Sequence, residues 1–555
     1  MRRFGTQGPV NPQEHYVVSR TEEIVDYIKR VEQGKYVVLF APRQTGKTTF
    51  FQAALETLTV GTMPNTAATQ TEAAPKFNFF PIQLNFDIYK NLDLSAFYAH
   101  LSEQIREEIE ALFQRRGVVS SAALRQFLEE TTLTDHLSML SFFKRFASFL
   151  DSEYAGQQFV LVIDEFDGIP QAALSDFLHT LRHIYISGKP RCPHSVGIIG
   201  VKSIAQLNYD RSISPFNIQD EFHLPNFTLE QVQELLGQYT DEVGQPFASE
   251  VITSIHKQTA GQPVLVNRFA QILTEELDIP ITELITMAHF STAHAQLLEE
   301  DNVNLTHLTT NIRRDPRFES VLMRIMAREN GVDFNLRSDV ISELATYGVI
   351  ARGDDGMCEI INPIYLYCIL QAFKAVVNGL EEEYLSEGNS EGFLDYLTPA
   401  GHIDMESLLD NFRDFIARVG FRILQVPDTP QESVGRHLLL AYLDQFVKLI
   451  GGFMHIEVQT GRGRMDIIIT HNQRKYIVET KIWRGDNRYQ AGKKQLTVYL
   501  NSEGVTEGYY IVFNHRENPE PRVETETVEG LTIRSYVIPV LQEMPSGSSD
   551  TLGIR

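Results

Sequence analysis

YVVLFAPRQTGKTT, from Tyr36 to Thr49, is the stretch that decides the fold of the N-terminal part of this 555-residue chain. Its first five residues are apolar and mostly β-branched or aromatic, which predicts a buried strand. The loop that follows ends in Gly-Lys-Thr and leads into a helical pattern. Such a loop can direct successive backbone N–H groups at one anion, with the positive end of the helix dipole behind them. The stretch therefore predicts a polyphosphate-binding loop.

The residues of this loop have distinct expected roles. The Lys47 ammonium would reach the β- and γ-phosphates, and the Thr48 hydroxyl would ligate Mg²⁺. Ala41 stands where the usual pattern has its first glycine, so the loop requires a negative φ at that position. The alternative is a chance Gly-Lys-Thr in a turn. The predicted nucleotide-binding residues are Arg43, Gln44, Thr45, Gly46, Lys47, Thr48, Thr49 and Asp164.

A second apolar run, from Phe159 to Ile163, ends in two acids and has the form of a Walker B strand. In that role Asp164 would hold Mg²⁺ through water, and Glu165 would be the catalytic general base that polarises the attacking water. The alternative is a strand that merely ends in a solvated acidic turn. Together with the phosphate loop, the run predicts ATP and Mg²⁺ as cofactors.

The bulk composition limits the class of protein. A hydrophobic fraction of 43% and a charged fraction of 22% are ordinary for a soluble globular chain, and the length implies several domains. The net charge of −23 argues against a chain that coats nucleic acid indiscriminately. Three cysteines, at positions 192, 358 and 368, are too few and too irregularly spaced for a disulfide framework or a zinc site. No membrane-length apolar run and no signal sequence are found, so we expect a cytoplasmic protein without a membrane partner.

Strand and helix patterns alternate along the first 200 residues. Strands are predicted near residues 79–86 and 196–201, and helices near residues 21–33 and 171–186. This alternation predicts an α/β fold with a parallel, doubly wound sheet and the nucleotide at the carboxyl ends of its strands. We expect the lead-in before the first helix, residues 4–20, to cover the adenine.

Five short motifs occur in order along this region: GPVNP at residues 8–12, APRQTGKT at 41–48, VIDE at 162–165, SPFNI at 214–218 and GQP at 261–263. With them, the segment to about residue 375 resembles the AAA-like branch of STAND and archaeal-type P-loop ATPases. The resemblance implies ATP hydrolysis, a homo-oligomer formed through the ATPase module, and a helical lid. In that lid the Gly-x-Pro element lies near the nucleotide, together with Asn267 or Arg268. The lid helices are predicted at residues 224–236 and 251–273.

The segment after the lid predicts a hairpin. Residues 349–352 and 359–361 flank the turn sequence Gly-Asp-Asp-Gly, which looks like the wing of a winged-helix module. Such a module either binds DNA or serves packing and oligomerisation.

The expected domains are a P-loop ATPase core (1–223), a helical lid (224–300), a winged-helix-like module (301–375), an acidic linker (376–404), an α/β C-terminal domain (405–541) and a flexible tail (542–555).

The C-terminal domain carries a second set of candidate residues. Two predicted strands joined by a turn at residues 471–473 place Asp466 on the first strand, with Glu479 and Lys481 on one side of the second. Two carboxylates can chelate a divalent cation beside the lysine ammonium, which suits phosphodiester hydrolysis. A hairpin in which acids and lysines merely alternate on an exposed face is the alternative.

This segment resembles the PD-(D/E)xK nuclease superfamily, whose fold is restriction-endonuclease-like. The resemblance implies catalytic roles for Asp466, Glu479 and Lys481, and an additional acid, Glu432, from the preceding helix. Gln495 and Tyr499 resemble the Q-x-x-x-Y helix of RecB-like members, although an amphipathic helix with a polar face gives the same pattern. The implied metal ligands are Glu432, Asp466 and Glu479, which would hold Mg²⁺ or Mn²⁺.

Basic residues outnumber acids around this motif, which predicts a local cationic surface for nucleic acid, most simply DNA. They are Arg462, Arg464, Arg474, Lys475, Lys481, Arg484, Arg488, Lys493 and Lys494.

The favoured hypothesis is an ATPase that regulates a nuclease, by analogy in defence against foreign DNA or in DNA processing. A STAND-type signalling ATPase, whose C-terminal domain binds nucleic acid or a protein without cleaving, is the main alternative. A scaffold that binds ATP without turnover is a third, and Glu165 argues against it.

Overall fold

The computed structural model describes residues 1–42, 45–60, 78–154, 156–188, 191–201, 207, 218–300, 316–327, 332–372, 395–419, 431–460, 463–514 and 521–539. The chain forms two compact units. The first consists of Met1–Gly244, Gly261–Ala270 and Thr346–Gly348, and the second of Gln245–Ala260, Gln271–Ala345 and Val349–Arg555. Neither unit is one continuous segment of sequence.

The described helices are α1 (Thr21–Glu32), α2 (Lys47–Val60), α3 (Leu94–Arg115), α4 (Ala122–Glu129), α5 (His136–Glu153), α6 (Gln171–Ile186), α7 (Leu229–Val243), α8 (Ser249–Thr259), α9 (Pro263–Gln271), α10 (Met287–Glu299), α11 (Pro316–Ala327), α12 (Asp339–Thr346), α13 (Pro363–Ala372), α14 (Met405–Val419), α15 (Gln431–Leu449) and α16 (Asp486–Glu503).

The described strands are β1 (Tyr36–Phe40), β2 (Phe79–Asn85), β3 (Gln158–Asp164), β4 (Ser195–Gly200), β5 (Gln219–Glu221), β6 (Ile350–Arg352), β7 (Cys358–Ile360), β8 (Phe453–Thr460), β9 (Gly463–His471), β10 (Arg474–Ile482), β11 (Glu507–Asn514), β12 (Arg522–Val528) and β13 (Leu531–Pro539).

The first unit is built on a five-stranded sheet in the order β2-β3-β4-β1-β5, in which every neighbouring pair is parallel. Alternate residues of β1 enter two cores. Tyr36 and Val38 pack with α3, α5 and α6, whereas Val37 and Leu39 pack with α1 and α2. A strand that is buried on both faces needs a continuous apolar run, which explains its sequence. The predicted parallel, doubly wound sheet is confirmed.

Two helix predictions differ from the structure in their boundaries. The helix expected from residue 224 begins only at Leu229, because the Thr228 hydroxyl accepts from the Gln231 N–H in a capping box. The helical pattern over residues 251–273 is divided into α8 and α9. Ala260 and Gly261 adopt positive φ angles of 47° and 68°, which stop α8, and Pro263 opens α9 at the position where a missing N–H is tolerated.

The second unit contains a small hairpin and a larger sheet. Strands β6 and β7 pair antiparallel, with Ile350 opposite Ile360, and confirm the predicted hairpin. The larger sheet has the order β12-β13-β11-β10-β9-β8 and mixes both directions: β10, β11 and β13 run parallel, and the other pairs are antiparallel. Strands β9 and β10 form the predicted hairpin, and α16 packs against one face of this sheet.

Several general expectations can be compared with the described residues. The three cysteines are buried and form no disulfide bond. Among the described helices, none combines the length and apolar composition that a membrane crossing requires. The tail at 542–555 and most of the linker at 376–404 lie outside the described residues. The domain boundaries set out above stay predictions.

Candidate functional site

The phosphate loop of the first unit connects β1 to α2. Gly46 has a φ of 83°, a conformation that side chains disfavour, whereas Ala41 is not among the residues with positive φ and so fits in place of glycine. Lys47 is a buried residue, and its ammonium donates to the carbonyl oxygens of Ala41 and Pro42 at 2.7 and 2.6 Å. This places the cation over the loop, where a phosphate oxygen would accept from it. Arg43 and Gln44 lie outside the described residues.

Asp164, the last residue of β3, contacts the start of α2. The Thr48 hydroxyl donates to Asp164 Oδ2 at 3.1 Å, and Asp164 is only 2% exposed. A hydroxyl beside a buried carboxylate supplies the hard oxygen donors that Mg²⁺ prefers. Glu165 follows with a φ of 49°, and its N–H donates to Asp164 Oδ1 at 2.9 Å. A non-glycine residue in the left-handed region is strained, and such strain concentrates at functional sites.

One cavity of about 590 Å³ contains these groups. Gly46, Lys47, Thr48 and Thr49 line it together with Asp164 and Glu165, and so do apolar side chains. The apolar lining includes Val18, Ile24, Phe50, Phe227, Leu235 and Val264. A cavity that combines phosphate-binding groups with an apolar wall matches the two chemically different parts of a nucleotide.

The N-terminal lead-in also lines this cavity, through residues 5–6, 8–10 and 16–20. The Val10 N–H donates to the Thr49 hydroxyl at 3.3 Å, which ties the lead-in to the first turn of α2. The lead-in is therefore part of the cavity wall, and its expected place over the adenine stays a prediction.

Helix α9 begins at the proline of the Gly-x-Pro element. A Cβ atom built on Gly46 would lie 3.8 Å from Pro263 Cγ, so the start of α9 adjoins the phosphate loop. Pro263, Val264 and Asn267 line the cavity. Of the two residues that the family resemblance suggested, Asn267 is therefore the one placed at the cavity wall.

Arg20 is a cavity residue that the sequence did not reveal. Its guanidinium is buried, donates to the Pro225 carbonyl at 2.8 Å and lies 4.7 Å from the ring centroid of Phe227. Burial lowers the pKa of Arg20, and the charge of Glu23 opposes that shift. A left-handed arginine (φ of 45°) just before α1 has no marker in the sequence, which is why the prediction missed it.

The second candidate site lies on β10. Glu479 is fully buried, and the Lys481 ammonium forms an ion pair with its Oε1 at 2.6 Å. Residues 467 and 478 are opposite each other on β9 and β10, so continuing this register by one residue would put the backbone of Asp466 opposite Glu479. The side chains of Asp466 and Glu432 lie outside those that the structure describes, although the two residues belong to β9 and α15.

The helix after β10 differs in part from its prediction. Gln495 Nε2 donates to the Tyr499 hydroxyl at 2.6 Å, so the two residues of the Q-x-x-x-Y pattern contact each other. Lys493, however, is not on a cationic surface. It is 1% exposed and forms ion pairs with Glu524 and Glu526 on β12. The prediction for Lys493 was wrong because the acidic partners come from a strand that the sequence pattern did not identify.

The predicted cationic surface of the C-terminal domain is reduced further by an ion pair at a second lysine, Lys475. Lys475 forms an ion pair with Glu503 at 2.8 Å, which offsets its charge. Arg462 and the side chain of Arg464 lie outside the described set. Among the described side chains, no group of three or more His, Cys, Asp or Glu residues is placed to hold a metal ion.

Comparisons with known proteins match the two parts of the chain to different families. A family model of an AAA-like domain matches residues 6–367. A model described as a domain of unknown function, DUF8371, matches residues 404–517. A comparison with curated proteins finds no match.

Solved structures resemble about two thirds of the chain. The Walker-type ATPase PABY2304 of Pyrococcus abyssi is 14% identical with a TM-score of 0.44, over 66% of this chain and 99% of its own. The RuvB Holliday junction branch migration motor of Thermotoga maritima is 12% identical with a TM-score of 0.29, over 63% and 93%. Cdc6p of Pyrobaculum aerophilum is 13% identical with a TM-score of 0.31, over 66% and 95%. At these values no residue role is transferred to this chain.

Proposed function

The chain belongs to the family of AAA-like domains, and from this premise we propose that its first unit binds ATP with Mg²⁺ and hydrolyses it. The observation that carries the proposal is that one cavity is lined by the phosphate loop, by Asp164 and Glu165, and by an apolar wall. Asp164 is buried and accepts from the Thr48 hydroxyl, whereas Glu165 is partly exposed. This difference supports different roles for the two acids.

Each group in the cavity has a defined task. Lys47 would exchange its two carbonyl partners for oxygens of the β- and γ-phosphates, which are stronger acceptors because they are charged. Thr48 and Asp164 would hold Mg²⁺, which when bound neutralises charge that develops on the phosphates. Glu165 would accept a proton from the attacking water.

Two substitutions in the full-length chain test these roles. Lys47→Ala should abolish tight ATP binding, because it removes the cation over the phosphate loop. Glu165→Gln should retain ATP binding but reduce turnover by about 10²–10⁴-fold, since the side chain keeps its shape and loses its basicity. Equilibrium titration with ATP and steady-state phosphate release measure the two effects.

The matched control is Lys144→Ala, at an exposed lysine of α5 that should leave both measurements unchanged. Unchanged ATP affinity in Lys47→Ala would reject the phosphate-loop assignment. Hydrolysis by Glu165→Gln at the parent rate would reject the general base.

A second function, divalent-metal-dependent cleavage of DNA, is favoured by the Glu479–Lys481 pair. A buried carboxylate is costly unless a cation or a metal compensates it, and here the lysine lies at 2.6 Å. Asp466 would provide the second carboxylate across the hairpin. In this proposal Asp466 and Glu479 hold Mg²⁺ or Mn²⁺, with Glu432 as a further ligand. Lys481 would position the attacking water, and Gln495 would orient the site from α16.

Cleavage assays on the full-length chain distinguish this function from its alternatives. Linear, circular and single-stranded DNA are incubated with Mg²⁺ or Mn²⁺, with and without ATP. Asp466→Ala and Lys481→Ala should lower cleavage by orders of magnitude while ATP hydrolysis stays within a few-fold. Lys257→Ala, at an exposed lysine of α8 that is not part of the predicted cationic surface, is the matched control.

The outcomes separate three hypotheses. Cleavage that also changes in Lys47→Ala supports an ATPase that regulates a nuclease, because an effect between sites requires a shared state. DNA binding without cleavage, under either metal, supports the signalling ATPase whose C-terminal domain only binds its partner. Equal cleavage by the parent and Lys481→Ala would exclude the proposed site.

A further inference from the structure

The cavity wall contains a hydrogen-bond acceptor that has no partner among the described residues. Asn267, on α9, is 6% exposed, and its Oδ1 atom is buried without a hydrogen bond. A buried polar atom left in this state costs about 1–3 kcal/mol, so native structures rarely retain one without a reason. The side chain lines the nucleotide cavity, which is the space from which a ligand would supply the missing donor.

The orientation of this amide is fixed by its other end. Asn267 Nδ2 donates to the Pro263 carbonyl oxygen at 2.8 Å. A carbonyl oxygen only accepts, so the amide nitrogen must be the atom that faces it. The remaining atom is therefore an oxygen, which only accepts, and a ligand group that satisfies it has to be a donor.

The position of Asn267 relative to the phosphate loop suggests which part of a nucleotide it meets. Pro263 adjoins Gly46 of that loop, and Asn267 follows one helical turn later, about 6 Å along α9. The neighbouring cavity wall includes the apolar side chains of Val264 and Leu235. An apolar wall with one directed polar atom is the usual way in which proteins bind and discriminate a flat heterocycle.

We propose that Asn267 Oδ1 reads the exocyclic 6-amino group of a bound purine and makes the site selective for adenine over guanine or hypoxanthine nucleotides. The inference rests on the proposed ATP binding and names the base that the same site selects. The 6-amino group donates and satisfies the buried oxygen. A 6-oxo group presents a second acceptor, so both oxygens would remain unpaired in a site closed to water.

A series of triphosphates tests the proposal on the unmodified full-length chain. ATP, purine riboside 5′-triphosphate, which lacks any 6-substituent, and inosine 5′-triphosphate compete against a fluorescent ATP analogue. We expect the affinity to fall in that order, with at least about tenfold between ATP and the inosine nucleotide. Purine riboside triphosphate serves as the control for stacking and phosphate binding, because it differs from ATP only at the 6-position.

The variant Asn267→Ala then removes the acceptor. It should lower the affinity for ATP to that for purine riboside triphosphate and bring the inosine nucleotide within about threefold of both. Equal affinity of the unmodified chain for ATP and the inosine nucleotide would overturn the proposal, and so would an unchanged ATP-to-inosine ratio in Asn267→Ala. If ATP binds in a Lys47-dependent way without such discrimination, only this inference fails. If no triphosphate binds, the proposed function itself fails.

Discussion

Acidification from pH 7.5 to pH 5 is expected to destabilise the second unit through two enclosed histidines. The rings of His294 on α10 and His455 on β8 lie 4.6 and 4.2 Å from the ring of Phe453, measured between centroids. Burial is the main cause that lowers the pKa of each imidazole to about 3. Neighbouring charges lower it further: His455 and Lys448 act on His294, and Lys257 and Lys475 act on His455.

The sign and size of the effect follow from proton binding. The folded unit holds the imidazoles neutral, whereas in the unfolded chain each has its ordinary pKa of about 6.5. Below pH 6.5 the unfolded state therefore binds more protons, and stability that is fully present above this pH decreases as the pH falls towards 3. At pH 5 one such imidazole costs about 2 kcal/mol. His294 should contribute this amount, and His455, which is less completely covered, should contribute less.

The chain has one tryptophan, Trp483, and it lies in the second unit, where its ring is 5.2 Å from that of Tyr489. Its fluorescence during urea unfolding therefore reports this unit selectively. We expect the unfolding free energy at pH 5 to be about 2–4 kcal/mol below its value at pH 7.5, a large part of the 5–15 kcal/mol typical of a domain.

Variants assign the effect to these rings. The double substitution His294→Gln with His455→Gln should remove most of the pH dependence in this range, even though the variant is less stable at neutral pH. The control His100→Gln, at an exposed histidine of α3, should leave the pH dependence in place. A double variant that loses as much stability between pH 7.5 and pH 5 as the unmodified chain would refute the reasoning.

Two further predictions concern the first unit. In Gly261→Ala the new Cβ would lie 1.9 Å from the Phe227 carbonyl oxygen at a φ of 68°, so the thermal stability of this unit should fall by more than in Gly244→Ala, where φ is 88° and the space is open. Calorimetry should give roughly 1–2 kcal/mol for the control alone, and equal losses would exclude the contact as the cause. Thr48→Val removes the hydroxyl 3.1 Å from Asp164, and it should raise the Mg²⁺ concentration for half-maximal ATP hydrolysis about tenfold or more. Thr57→Val, further along α2, is its control, and an unchanged Mg²⁺ requirement in Thr48→Val would rule out the ligand role.

The parts of the fold that the sequence predicted are those with strong local signals. Strand β1 and the loop after it are recognisable because burial on both faces demands an apolar run and the phosphate loop demands glycine. The start of α7 was misplaced by five residues, yet the Thr228-x-x-Gln231 capping box is itself a local signal that locates it. The start of such a helix can therefore be predicted from the sequence if capping residues are identified first and hydrophobic spacing is considered afterwards.

The missed elements depend on partners far away in the sequence. Strand β5 has three polar residues, and it is a strand only because β1 pairs with it. Strand β12 is exposed on alternate residues and pairs with β13, and its acids Glu524 and Glu526 neutralise Lys493. The sequence around Lys493 alone contains no sign of these partners. For the same reason the composition near the candidate nuclease motif overstated its positive charge.

The division of the chain into two interleaved units has a consequence for how the nucleotide cavity is completed. The polypeptide passes from one unit to the other after residues 244, 260, 270, 345 and 348. Helix α9, which brings Asn267 to the cavity, is thus joined by peptide bonds to segments of the second unit at both ends. A ribosome must synthesise residues 245–260 of the second unit before it can complete the ATP site of the first. If α9 moves when ATP binds, the peptide bonds at its two ends transmit that movement to residues 260 and 271 of the second unit. Because the connection is covalent, no surface substitution removes it.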